Sequence, residues 1–81
     1  MLELYQHVSL KSDFLEHNLK KGDVAMLIDC VPHPSGGEDG CVLEVFNAAG
    51  ESINVIVVPN SAVASLREDE ILAVRSLVAL N

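Results

Sequence analysis

The sequence has few aromatic residues and no tryptophan, which limits how its interior can be built. The aromatic side chains are those of Tyr5, Phe14 and Phe46, although 49% of the residues are hydrophobic. An interior must therefore be packed from Val, Leu, Ile and Ala, and branched aliphatic residues favour strands. The 81 residues predict a single domain over residues 1–81. Because a domain this small often gains stability from a partner subunit, we expect a homo-oligomer.

The sequence is also poor in positive charge. Five Lys and Arg residues stand against twelve Asp and Glu residues, a net charge of −7. Nucleic-acid binding needs clustered cations, and here only Lys20 and Lys21 are adjacent. An apolar run of about 20 residues, the length that crosses a bilayer, is lacking as well. The charge balance therefore disfavours nucleic acid as a partner, and we expect no membrane binding and, since no secretory signal sequence is found, a cytoplasmic location.

Motifs for catalysis or metal binding are missing from the sequence. Ser, Cys, His and acidic residues occur, but not in a spacing typical of nucleophilic catalysis. Cys30, His33 and Cys41 flank one loop, yet zinc sites generally use Cys pairs two to four residues apart. We predict no enzymatic activity, no cofactor and no metal. The redox state of Cys30 and Cys41 stays open, although a reducing cytoplasm favours free thiols.

The fold is organised around the turn at residues 19–24. Gly22 is predicted to take a positive φ, and Asp23 to accept hydrogen bonds from nearby backbone N–H groups. This turn leads into residues 24–30, a short apolar run that indicates a buried strand. Gly50 is predicted to supply the positive φ of a hairpin turn between strands at 41–46 and 52–58.

The remaining elements are predicted from the alternation of apolar and polar residues and from residues that end or cap regular structure. Alternation around residues 6–10 predicts a strand, and Pro59 ends the strand at 52–58. Asn60 and Ser61 are predicted to cap a short helical turn over residues 62–64. Residues 68–80 favour a helix by propensity, or a strand at 71–75 that would cover an open sheet edge. We choose the strand, which gives an all-β, five-stranded barrel with a short helical turn before its last strand.

The order of these features resembles a known family. It comprises the turn Leu19-Lys20-Lys21-Gly22-Asp23-Val24, a hairpin containing Gly, Val57-Val58-Pro59 and a closing segment at 72–77. Over about residues 8–77 this is similar to the small bacterial family numbered 4926 among the domains of unknown function. The chain differs from such barrels at Ala25, where a second Gly is common, and in its longer loop at 32–40.

The resemblance implies an SH3-like barrel without an established activity. Some proteins of this kind resemble members of two-gene modules in which a small protein binds a companion, as antitoxins do. The resemblance therefore also implies a companion protein as a partner. The Gly-Asp turn is shared with the KOW modules of transcription and translation proteins. An RNA- or nucleic-acid-associated module is therefore the alternative function.

The sequence contains more apolar residues than one small barrel interior can hold. If one face of each strand forms the interior, a second apolar face is left over. Residues 71–80 contribute further apolar side chains. Either the terminal segment packs over the barrel, or these residues form an interface with a second copy or a companion protein. The candidate interface residues are Leu27, Ile56, Val58, Ile71 and Val74.

Overall fold

The computed structural model describes residues 2–77, which form one antiparallel sheet of five strands. The strands are β1 (His7–Leu10), β2 (Val24–Val31), β3 (Gly40–Phe46), β4 (Ser52–Pro59) and β5 (Val63–Ser65). Two 3₁₀ turns lie at Leu15–His17 and Asn60–Ala62. The all-β prediction is confirmed. Among residues 2–77, no helix has the length and apolar character needed to span a membrane.

The strand order requires the sheet to curl. Its order is β4-β3-β2-β1-β5, so β4 and β5 lie at opposite edges. In a flat sheet these edges would be about 19 Å apart, because neighbouring strands are separated by about 4.8 Å. Only the turn Asn60–Ala62 connects them, and a 3₁₀ helix advances about 2 Å per residue. The two edge strands can be joined by this turn only if the sheet bends strongly around its core.

The fifth strand is not where the sequence predicted it. It is Val63–Ser65, whereas residues 66–77 contain neither helix nor strand. The prediction of a strand at 71–75 is wrong because the turn at 60–62 delivers the next residues directly onto β1, where Val63 pairs with Leu10. The helical turn before the last strand covers Asn60–Ala62, earlier than predicted. Residues 78–80 of the ambiguous segment lie outside the described residues.

The core fills one face of the sheet and is aliphatic apart from Cys41, with Phe14 packed against it. Leu27 and Leu43, both fully buried, lie opposite each other on β2 and β3. Ile56 and Val58 are 2% exposed and pair with Leu43 and Cys41. The prediction that Leu27, Ile56 and Val58 form an outward interface is therefore wrong. Both faces of β4 are apolar in sequence, so only its register with β3 decides which face is buried.

A β-bulge reverses the faces of β2 near its end. The pairing with β3 shifts between Leu27 and Asp29, so Ile28 is the extra residue. After the bulge, Cys30 lies on the same face as Leu27 and opposite Cys41. Uninterrupted alternation would place Cys30 on the face of Met26 and Ile28, so the bulge moves it to the opposite face.

Candidate functional site

Exposed apolar side chains on β4 form the first candidate surface. Ile53, Val55 and Val57 are 42%, 52% and 59% exposed, whereas the intervening Ile56 is buried. The surplus of apolar surface predicted from the sequence is thus present on β4, but it consists of different residues. We call the row Ile53, Val55 and Val57 the β4 row.

The backbone beside the β4 row is open. β4 ends the strand order, and no other strand formed by residues 2–77 pairs with its outer edge. The N–H of Val55 donates to Oδ1 of the adjacent Asn54 at 2.9 Å rather than to β3. Because N–H directions alternate along a strand, the N–H of Val57 also points outward. The edge therefore offers both apolar side chains and hydrogen-bonding backbone groups.

β4 contains no charged residue, and two carboxylates beside it accept hydrogen bonds from nearby side chains. The strand Ser52–Pro59 contains no Lys, Arg, Asp or Glu. Oε2 of Glu44 accepts the hydroxyl of Ser52 at 2.7 Å, and Oε1 of Glu51 accepts Nδ2 of Asn47 at 2.9 Å. The two carboxylates nearest the β4 row thus already have hydrogen-bond donors within the hairpin.

Hydrogen bonds from backbone N–H groups to the side chain of Asn47 stabilise the hairpin turn between β3 and β4. Oδ1 of Asn47 accepts the N–H groups of Ala49 at 3.0 Å and Glu51 at 2.9 Å. Gly50 has φ +83°, a conformation that residues with a Cβ rarely adopt. The turn therefore holds the start of β4 firmly against β3.

The segment at residues 66–77 is the second candidate surface. Ile71 and Val74 are 94% and 98% exposed, so they lie apart from the core, to which Leu27, Ile56 and Val58 belong. The five residues proposed from sequence thus do not form one surface. A groove of about 300 Å³ lies between this segment and the sheet, lined in part by Leu19, Val45 and Leu77.

An ion pair attaches this segment to the turn at residues 19–24. Nε and Nη2 of Arg75 donate to Oδ1 and Oδ2 of Asp23 at 2.8 and 2.5 Å, and Nη2 also donates to the carbonyl of Asn18 at 2.9 Å. Nδ2 of Asn18 donates in turn to the carbonyl of Leu77 at 2.7 Å. We call Asn18, Asp23 and Arg75 the C-terminal clamp.

The clamp depends on local geometry that the sequence only partly signals. Asn18 has φ +58°, which Asn tolerates better than most residues. Gly22 has φ +93°, and Oδ2 of Asp23 accepts the N–H of Lys20 at 2.8 Å. Arg75 stands 52 residues from Asp23, and nothing in the sequence signalled their pairing.

The guanidinium of Arg75 controls the charge of Asp23. Its hydrogen bonds lower the pKa of the Asp23 carboxyl, and this effect exceeds the opposing effect of burial. The backbone hydrogen bond from Lys20 lowers the pKa further. Asp23 is therefore ionised at neutral pH and holds Arg75 through a charge-assisted, bidentate pair.

The two cysteines face each other as free thiols. Cys30 is exposed and Cys41 buried, and the Cys41 thiol donates to Oδ1 of Asn60 at 3.4 Å. Burial raises the pKa of Cys41, and Cys30, Asp39 and Glu38 raise it further. A protonated, buried thiol is a weak nucleophile. Across residues 2–77, no three His, Cys, Asp or Glu side chains are grouped to hold a metal.

No family model matches the chain, and no match to it was found among curated proteins or solved structures. The β4 row and the segment at residues 66–77 are the two exposed apolar surfaces at which a partner can bind. Of these, β4 combines apolar side chains with an open backbone edge on a strand that the core holds in place.

Proposed function

We propose that the protein is a non-catalytic protein-interaction module that binds its partners through the outer edge and exposed face of β4. The observation that supports this most strongly is an eight-residue edge strand without a charged residue. Native proteins usually protect sheet edges with charge, internal Pro or a covering element. In β4 the one Pro is the last residue, and the β4 row is left exposed. Such an edge suits the addition of a strand from another chain.

The proposed fold is an SH3-like barrel of the family numbered 4926. Its support is the order of the strands, in which β1 lies between β2 and β5, and the short 3₁₀ turn that joins the two edge strands. In this proposal the curled sheet surrounds the core as a partly open barrel, because β4 and β5 are not paired with each other. The outer edge of β4 is then where another chain can be added.

The partners we propose are a second copy of the chain and a companion protein encoded beside it in a bacterial two-gene module, as for an antitoxin. Ile71 and Val74, both exposed on the segment that the clamp attaches, are proposed as an additional contact for the companion, whose main binding surface is β4. Two free thiols suit a reducing cytoplasm, the location we propose.

The alternative, an RNA-associated module, has less support. Lys20 and Lys21 are exposed on the turn at residues 19–24, but two carboxylates adjoin them. Asp23 accepts the N–H of Lys20 and Asp13 that of Lys21, both at 2.8 Å. Two lysines beside carboxylates are too few for the clustered cations that phosphate binding requires, so the turn is a poor phosphate-binding surface.

Solution mass tests the proposed function. The chain is measured by light scattering across a dilution series, alone and co-expressed with the product of the neighbouring gene. We expect a dimer or a complex with the neighbour that Val57→Lys weakens. Leu15→Lys, at a residue that is 73% exposed outside β4, is the matched control and should leave association unchanged. A chain that stays monomeric and ignores its neighbour would overturn the proposal.

A further inference from the structure

We infer that β4 pairs with β4 of a second copy, antiparallel and across a two-fold axis at Ile56. Val55 of each copy then lies beside Val57 of the other. The inference rests on the proposed function and deepens it by specifying one partner and the register in which it binds.

The charges favour a second copy over a basic partner at this edge. With a net charge of −7, two copies repel each other over most of their surfaces. At β4 this repulsion is smallest, because the strand itself is uncharged. A basic segment would find no charged partner on β4 itself, and Glu44 and Glu51 beside the strand already accept hydrogen bonds from Ser52 and Asn47. The edge is thus best matched by an uncharged, apolar strand such as β4 itself.

The regular part of β4 determines the register. The pairing with β3 shifts at Ile53, and the unbroken ladder runs from Asn54 to Pro59. A bulge bends a strand and disturbs its edge, so pairing should avoid Ile53. Pro59 has no N–H to donate. The midpoint of the usable stretch is Ile56, which places the two-fold axis there.

This register satisfies both backbone and side chains. Val55 and Val57 have outward-facing N–H groups. Val55 of each copy therefore forms a hydrogen-bonded pair with Val57 of the other copy. The same register brings their exposed side chains together on the outer face, and branched cross-strand pairs are favourable. The interface is isologous, so it closes at two copies and does not propagate into a fibre.

The expected dimer is reversible. Pairing along a few residues of one strand buries less surface than the roughly 1,200 Å² typical of stable complexes. Part of the energy is also needed to displace the Asn54 side chain from the N–H of Val55. We therefore expect the measured mass to move from monomer to dimer as the chain is concentrated.

Sedimentation equilibrium of three variants tests the surface. Val55→Lys and Val57→Glu each put a charge beside an apolar residue of the second copy, and we expect at least a tenfold rise in the dimer dissociation constant. Leu15→Lys adds a charge at a residue that is 73% exposed outside β4, and should change it less than twofold. Circular dichroism shows whether each variant retains the strand content of the wild type.

Mixing the variants tests the register. When Val55→Lys is mixed with Val57→Glu, the introduced lysine of one copy faces the introduced glutamate of the other, while the second pair remains Val beside Val. We expect the mixture to dimerise at least fivefold more tightly than either variant alone. A mixture of Val55→Lys with Val55→Glu places each introduced charge beside Val57 of the other copy, so it lacks this pairing and should show no comparable recovery.

Three outcomes would overturn the inference: a wild type that stays monomeric at the highest concentration, a dimer that Val55→Lys leaves intact, or no recovery in the complementary mixture. If a companion complex still forms and Val57→Lys weakens it, the proposed function stands without self-pairing. If neither the dimer nor the complex exists, both proposals fail.

Discussion

The β4 row and the segment at residues 66–77 both expose branched aliphatic side chains, but they are held in different ways. β4 is paired with β3 along its length, and Ile56 and Val58 anchor it in the core. The segment at 66–77 has no strand or helix and is attached through the clamp at Asp23 and Arg75. A surface held rigidly by a core loses little conformational entropy when it binds a partner. A segment held by one ion pair loses more, because binding must order it. The comparison favours β4 as the primary interaction surface.

The largest expected effect separates the two faces of β4. Ile56→Asp buries an unpaired carboxylate in the core, and we expect it to cost about 3–5 kcal/mol, enough to unfold a small domain. Val55→Asp, one residue away on the exposed face, should retain the fold. Urea denaturation followed by circular dichroism measures both variants. Equal stabilities would contradict the assignment of faces.

Next in size is the loss of the clamp. Arg75→Gln removes the bidentate pair with Asp23, and we expect it to lower the free energy of unfolding by at most about 1 kcal/mol, because solvent partly screens the pair. Cleavage within residues 66–77 by thermolysin, which cuts before the Ile and Val residues found both there and in β4, should become several-fold faster, while β4 stays protected. Arg67→Gln, which breaks the more exposed pair with Asp69, is the control. Faster cleavage in β4 as well would show that the clamp supports the sheet.

The side chain of Asn54 provides a smaller effect on the β4 edge. Asn54→Ala releases the N–H of Val55 from its hydrogen bond to Oδ1. Since one hydrogen bond contributes about 0.5–1.5 kcal/mol, we expect the β4 dimer to tighten by about two- to tenfold. Sedimentation equilibrium measures the change. Asn18→Ala, at an asparagine of the clamp, should leave the dimer unchanged, and a weaker dimer in Asn54→Ala would contradict an open edge.

Acid is expected to loosen the clamp while leaving the β4 row unaffected. The pKa of Asp23 is lowered in the folded chain, so its stabilising effect is complete above the unfolded value of about 3.9. The effect is lost as the pH falls through the lower folded pKa. The Nε–H resonance of Arg75 should therefore shift below about pH 4 and stay constant from about pH 5 to 7. In Asp23→Asn this transition should disappear; if it persists, another group controls the clamp.

Single residues with strong backbone preferences were predictable from the sequence. Positive φ at Gly22 and Gly50 and the end of β4 at Pro59 follow from local sterics, and the aliphatic composition gave the all-β class. The β4 row was not predictable. Ser52 and Asn54 alternate with Ile53 and Val55, so the hydrophobic period favours burial of the β4 row, whereas the structure buries Ile56 and Val58 instead.

The sequence by itself determined the turns, the strand-forming composition and the absence of charge along β4, because these depend on one residue or on its nearest neighbours. The tertiary structure decided which side of β4 faces the core, that Val63 rather than Ile71 extends the sheet beside β1, and that Arg75 meets Asp23. Each of these depends on contacts between residues far apart in the chain. Such contacts form only when the strands pair in the correct register and the chain brings its distant segments together. The preferences of single residues do not encode them.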